Sequence, residues 1–427
     1  MVLNEKADKI ILLFIQRGKM DLSRRNFLKK VTGLMASLGV PSYWMRSASA
    51  ASPVVKIGIL NPFSGLLANI GRQGIQGAEL AVEEINSRGG MSGARVEITA
   101  MDAPAGRPEQ IHRAFLRFVH AEKVNAVIGS TVAGFDKNLS QLAEQYKMPL
   151  FVINPFRQTW FRQDLRFTFC IVPDVSLMAR QAIDYLKQIA RQRKTSVRTI
   201  ALLRSPSSYW NEVRERIRSL APSRRLSIVF DGEIPWDPRT IPPVVKEAQR
   251  LSPDLVFLLS THTPGIKVTV QTMRKVKFNA KAVAGFFSML GNAAYVASER
   301  NLFLNLMDAN FWGNPKLDAV RRFQQHFLKR FKNYPSNSSY GSYSAIYMLR
   351  DAIKNTNSLE GNRFATYLRE AELPSYLLAQ RGPVKFDNNG QNINAETVLL
   401  QVSNPRPIPI YPKTYAGQDP VFPFRTT

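Results

Sequence analysis

From Val54 onward, short runs of β-branched and other apolar residues alternate with segments in which apolar positions recur every three or four residues. A short unbroken apolar run suits a buried strand and a period near 3.6 suits a helix with one buried face, so the alternation predicts parallel sheets covered by helices. Val54 to Leu60 reads as the first strand. Ile75, Ala78, Val82 and Ile85 then line one helix face until Gly89-Gly90 stops it. Arg95 to Met101 is a second strand, and Pro108 opens a helix whose buried stripe is Ile111, Phe115, Phe118 and Val119. Val124 to Ile128 and Pro149 to Ile153 follow as strands, with Leu139, Leu142, Ala143 and Tyr146 marking the helix between them.

The same grammar restarts after Cys170. A helix around Met178 to Ile189 leads to strand Thr199 to Leu203, helix Trp210 to Leu220, strand Ser227 to Phe230, helix Pro243 to Leu251 and strand Leu255 to Leu259. The predicted fold class is α/β, with two doubly wound, Rossmann-like lobes. Open sheets of this kind bind ligands beyond the carboxyl ends of their strands, where the strand order reverses, and two such sheets facing each other make a cleft. The proline-rich stretch from Pro405 to Pro423 reads as an extended, irregular end.

The 427 residues, 44% apolar and 21% charged, supply enough material for two ordinary cores. Near the start, Ser23-Arg24-Arg25-Asn26-Phe27-Leu28-Lys29-Lys30 precedes a mildly apolar stretch, Val31 to Val40, and a small-residue site, Ala48-Ser49-Ala50. In that order these are the parts of a twin-arginine export signal, so residues 1–50 are expected to be removed and the product to work in the periplasm or otherwise outside the cytoplasm. The apolar run Ile10 to Ile15 is far short of the roughly twenty residues that cross a bilayer, and Met20 is a second candidate start. No later run is long enough to span a membrane, and no cysteine at the cleavage site offers a lipid anchor. The single cysteine, Cys170, excludes an internal disulfide.

Basic residues outnumber acidic ones 58 to 32, a formal charge of +26. The first fifty residues hold nine basic and three acidic groups, which leaves 49 against 29 and a formal +20 beyond the signal. Nucleic acid is the usual partner of such a balance, but the basic residues are spread along the chain and no nucleic-acid-binding signature accompanies them. Solubility, an acidic surrounding and attraction to an anionic membrane stay open, and rising salt separates them because only surface adhesion weakens.

Candidate chemistry is sparse. Gly71-Arg72-Gln73-Gly74-Ile75-Gln76-Gly77 superficially suggests a phosphate loop, but its spacing is wrong and it begins well after the strand ends; Gly77 reads better as a site of close helix packing. His112, His120, His262 and His326 show no metal-ligand spacing. Cys170, in the apolar run Phe167 to Val172, reads as a buried inert thiol. Ser205 and Ser207 lack a hydrolase elbow. Asp102 follows a strand, and a helix cap, a loop charge and a ligand contact are all open readings. No catalytic residue, metal site or cofactor is expected.

The segments Ile57-Gly58-Ile59-Leu60-Asn61-Pro62-Phe63-Ser64-Gly65, Gly71, Gly77-Ala78-Glu79-Leu80-Ala81 and Ile85-Asn86-Ser87-Arg88-Gly89-Gly90 resemble the opening of the leucine/isoleucine/valine-type periplasmic binding proteins. Val127-Ile128-Gly129-Ser130, Phe331-Lys332-Asn333-Tyr334-Pro335-Ser336 and Gly382-Pro383-Val384-Lys385-Phe386-Asp387-Asn388-Asn389-Gly390 extend the resemblance in the family's order over nearly the whole chain after the signal. The resemblance implies a type I periplasmic binding protein fold, two Rossmann-like lobes joined by a three-strand hinge. The crossings would fall near Cys170, Met307 and Ala379, so residues 52–170 with 307–378 form lobe one and 171–306 with 379–427 form lobe two.

Carried over residue by residue, the resemblance implies ligand contacts from Ser130, Thr131, Ala133 and Gly134, in the loop ending at Phe135, and from Asn154, Pro155 and Phe156. A helix starting near Gly134 would aim free N–H groups at an anion such as a carboxylate. Lobe two would add Tyr209, stacking on the ligand, His262 and Thr263 in the loop from Ser260, and Phe286 and Phe287 in the turn ending at Ser288. One departure matters. Amino-acid-binding members carry an acid in that turn to meet the ligand's ammonium group, and Phe287 stands there instead. Exchanging a charge-assisted hydrogen bond for a cation–π contact costs roughly 1–2 kcal/mol. The implied ligand is therefore a small molecule with a carboxylate or amide end and an apolar or aromatic body, among amino acids, amides and aromatic or aliphatic carboxylates.

The function expected is a monomeric, non-catalytic substrate-binding protein that presents its ligand to an ABC permease in transport of the branched-chain amino acid type, by closing around it. A ligand sensor on the same fold is the alternative. An enzyme is disfavoured because no nucleophile, base and acid set can be named.

Overall fold

Strand β1 (Val54–Asn61) buries every side chain except Val54 and Lys56 and is an interior strand of a parallel sheet. Its partners are β2 (Arg95–Asp102) and β3 (Ala126–Gly129), followed by β4 (Leu150–Val152) and β5 (Thr168–Cys170), in the order β2-β1-β3-β4-β5. The computed structural model describes residues 53–104, 107–129, 136–155, 165–299 and 301–424. Residues 1–50, where an export signal is expected, lie outside them. Helices α1 (Ala68–Ser87), α2 (Pro108–Arg117) and α3 (Asp136–Tyr146) cover this sheet, and α2 buries Ile111 and Phe115 with Phe118 just beyond its end.

The second half repeats the plan with α4 (Val175–Gln192), β6 (Thr199–Arg204), α5 (Ser208–Leu220), β7 (Ser227–Glu233), α6 (Ile241–Arg250), β8 (Leu255–Leu259), α7 (Thr263–Lys275), β9 (Ala282–Phe286), the short α8 (Ala293–Ser298) and β10 (Met307–Asn310). Along β6 and β8, alternate side chains enter two different cores: Ile200, Leu202, Leu255 and Phe257 on one face, Ala201, Leu203, Val256 and Leu258 on the other. Burial on both faces explains why these strands read as unbroken apolar runs.

The chain then returns to the first core through α9 (Asp318–Phe331), α10 (Asn337–Thr356) and α11 (Gly361–Glu370) before adding β11 (Val398–Ser403) and β12 (Arg406–Tyr411) to the second sheet. That sheet runs β12-β11-β10-β9-β8-β6-β7, antiparallel only at β10-β11 and β11-β12. Three passages thus join the halves: after β5, after β10, and between Leu378 and Val398. They are tied to one another by backbone hydrogen bonds, Cys170 N to Gly390 O at 2.7 Å, Asn392 N to Cys170 O at 2.9 Å and Ala379 N to Trp312 O at 2.9 Å.

Two expectations change. The first helix begins at Ala68, well ahead of the periodic stripe, because glycines that look like punctuation are helical residues at close contacts. A Cβ on Gly71 would stand 1.8 Å from the Pro62 carbonyl oxygen, and one on Gly77 2.2 Å from that of Ser339 in α10. The close packing expected at Gly77 is therefore present. The stretch from Pro405 is not irregular throughout, since β12 pairs with β11. Its prolines are tolerated because β12 is an edge strand whose outward N–H groups have no ladder partner.

Candidate functional site

Strand order reverses between β1 and β3 in the first sheet and between β6 and β8 in the second, which places the ligand crevices beyond the carboxyl ends of those pairs. At the second of these points Ser205 follows β6 and Ser260 follows β8. Both are buried, and their hydroxyls lie 2.7 Å apart. Ser260 Oγ also accepts the backbone N–H of His262 at 3.0 Å, which fixes the turn into α7. His262 is the N-cap residue of that helix, and its ring meets the edge of Trp236 with centroids 5.1 Å apart. Burial lowers the His262 pKa, so the imidazole is neutral at pH 7 and available as a hydrogen-bonding group. Thr263 opens α7, and its carbonyl accepts from Tyr295 Oη at 3.0 Å.

The turn after β9 divides the two adjacent phenylalanines. Phe286 is fully buried in the second core, so its ring offers a solute no surface in this structure. Phe287 has a left-handed backbone, φ 46°, uncommon for a bulky residue and held here by its N–H to Ala309 O at 2.8 Å. Its ring stacks on Phe311 at 5.9 Å and packs against both the first and the second core, at the boundary of the two halves. Behind the turn lies Asp308, 1% exposed, whose Oδ1 accepts Ser288 N at 3.1 Å and Ser288 Oγ at 2.7 Å while Oδ2 accepts Asn310 Nδ2 at 2.7 Å. Burial pushes this carboxyl up to about 7 against the pull of those donors. With both oxygens engaged, Asp308 shapes the turn rather than meeting a solute.

Three further expected contacts, Asn154, Pro155 and Tyr209, fall among the described residues. Asn154 and Pro155 are buried after β4, and the Asn154 carbonyl accepts the Cys170 thiol at 3.7 Å. Tyr209 is 7% exposed, packed in the second core edge-on to Trp210 at 4.8 Å. Ser130, Thr131, Ala133, Gly134 and Phe156 lie outside the described residues. Asp102 anchors the loop after β1, accepting Phe63 N at 2.7 Å and Ser64 Oγ at 2.6 Å. Among the described residues, no group of three or more His, Cys, Asp or Glu side chains could hold a metal ion.

Polar contacts also bridge the halves. Gln73 of α1 is 1% exposed, and its Oε1 accepts Asn292 Nδ2 at 2.9 Å from the start of α8. Leu67 and Ile70 beside it pack on the second half's core, and Asn337 Nδ2 donates to Asn310 Oδ1 at 2.9 Å. Sequence reasoning missed Trp236 and Asp308. An exposed tryptophan directly after β7, in Pro235-Trp236-Asp237-Pro238, was the available signal for the first. Nothing local marks Asp308, which reaches the turn only because β10 pairs with β9.

The sequence matches the family described as periplasmic binding protein over residues 54–406. A curated relative, the Leu/Ile/Val-binding protein homolog 8 of Brucella suis biovar 1, is 24% identical over 392 residues, covering 89% of this chain and 96% of the relative. An ABC transporter substrate-binding protein from Desulfitobacterium hafniense, solved in complex with Leu, superposes with a TM-score of 0.69 at 19% identity, covering 83% of this chain and 99% of that one. A solute-binding protein of an ABC transporter from Rhodopseudomonas palustris BisB5, in complex with 3,4-dihydroxy benzoic acid, gives 0.69 at 17% identity, with 82% and 93% covered. Among the described residues no helix is long and apolar enough to cross a membrane. The chain belongs to the periplasmic binding protein family, with the type I two-sheet α/β fold of the substrate-binding proteins that serve ABC transporters of the branched-chain amino acid type.

Proposed function

We propose that this chain is the non-catalytic, extracytoplasmic receptor of an ABC importer, and that it captures a small solute bearing a carboxylate or amide and an apolar or aromatic body. The observation that carries the reading is the second sheet's switch point, where Ser205, Ser260 and His262 are linked by hydrogen bonds beside the exposed ring of Trp236. Polar groups fixed at a crevice with an aromatic wall can orient a solute. Residues 52–170 with 307–378 are lobe one and 171–306 with 379–427 lobe two in this reading, export follows the twin-arginine route, and an ABC permease receives the closed form. The Leu carried by one structural neighbour and the 3,4-dihydroxy benzoic acid carried by another bracket the ligand class. Phe287, standing where an ammonium-binding acid is expected, favours the aromatic or amide end of that range.

The test is native mass spectrometry of whatever copurifies, followed by calorimetry with leucine, valine, their amides and hydroxybenzoates. Recovery of an unchanged compound and preference for a ligand without an ammonium group are expected. Tight, selective binding of leucine or valine refutes the ligand class. Trp236→Ala should weaken binding of the preferred ligand by about tenfold, the worth of one aromatic contact of 1–1.5 kcal/mol, with the melting temperature unchanged.

A further inference from the structure

A cavity of about 140 Å³ lies between the halves and shares no lining residue with the switch-point constellation. Trp312, Gln324 of α9, Tyr334 and Tyr340 of α10 supply one wall, and Ala293 of α8 with Arg406 and the prolines of β12 supply the other. Three aromatic rings face one cation. The Arg406 guanidinium lies 4.6 Å from the centroid of the Tyr334 ring, and no carboxylate pairs with it among the described residues. Tyr340 Oη accepts the Gln324 amide at 2.7 Å, and no described group accepts the phenol's own proton. Trp312 and Tyr340 are themselves held in contact, centroids 5.3 Å apart, so their positions are set before any guest arrives.

Each feature narrows the guest. A cavity near 150 Å³ holds a single benzene-sized ring. Rings and prolines favour a flat apolar body, while an arginine held on a π face without an acid favours an anion it can grip with two parallel N–H donors. We propose that this cavity is a second binding site, for a small aromatic carboxylate whose ring packs against Trp312 and Tyr340 and whose carboxylate meets Arg406. The site stands independently of the switch-point crevice and of what binds there.

The experiment uses the whole exported chain labelled with 5-fluorotryptophan and observed by fluorine NMR, with the Trp312 and Trp236 signals assigned through Trp312→Phe and Trp236→Phe. Benzoate is the probe, benzamide its neutral counterpart. Benzoate should move the Trp312 signal saturably in the millimolar range or below, and benzamide should bind at least about tenfold more weakly because it lacks the charge. Arg406→Gln should lose the same factor and Arg406→Lys only part of it, while Ala293→Leu should abolish the shift by filling the space. A Trp312 signal unmoved by millimolar benzoate, equal affinity for benzoate and benzamide, or a Trp312 response undiminished in Arg406→Gln each overturns the proposal. Benzoate that moves only the Trp236 signal also overturns it, and would speak for the crevice alone.

Discussion

Asp308 and Phe287 show how much one buried group can organise. An aspartate titrates near 3.9 when unfolded, whereas burial holds Asp308 near 7 in the folded chain. Between those values the unfolded state gives up its proton first. The stability tied to this group is therefore fully present below about pH 4 and is lost as pH rises toward about 7, with a slope near 1.4 kcal/mol per pH unit. Asp308→Asn should remove that slope in urea titrations across this window. It should also cost about 1–3 kcal/mol, because an amide nitrogen then faces the Asn310 amide, donor against donor. At this scale the sequence was only partly legible. It marked His262 and the Phe286-Phe287 pair as candidates, yet which of two adjacent rings leaves the core depends on a left-handed backbone that no local pattern announces.

Most strands were legible because buried parallel strands carry continuous apolar runs, and most helices because one face is wetted. The failures have a common cause: glycine and proline mean different things at close contacts than in turns. In α1 the usual ranking of helix formers predicts that Gly77→Ala stabilises by about 1 kcal/mol. The Ser339 carbonyl oxygen only 2.2 Å from the new methyl predicts the opposite, a loss of about 1–3 kcal/mol from overpacking. A thermal melt distinguishes the two by sign, since a raised melting temperature would mean that α1 and α10 can part without cost.

For the whole molecule, the decisive question is what sets the arrangement of the two halves. The buried Gln73–Asn292 amide pair joins them, with Leu67 and Ile70 packed alongside. Gln73→Ala leaves Asn292 Nδ2 without its acceptor, while Asn292 Oδ1 keeps the Tyr295 N–H, so solute-free protein should shift toward a more extended form, and solute should bind more weakly by the roughly 1–2 kcal/mol of a buried hydrogen bond. Small-angle scattering with and without solute measures this, and an unchanged radius of gyration would assign the pair to packing alone. Such long-range pairings are invisible to a local reading, because residues more than two hundred positions apart meet only once the three passages between the halves are in place.

Strand β12 bears on a different hazard. The second sheet ends there, and an unprotected sheet border is a template onto which another chain can add. Pro407 and Pro409 carry no amide hydrogen, and the Pro409 carbonyl is already taken by Gly417 N at 2.8 Å, so an incoming strand finds little to grip. Pro407→Thr with Pro409→Thr should restore that grip and yield more dimers and larger species on size-exclusion chromatography at high concentration than the parent chain gives.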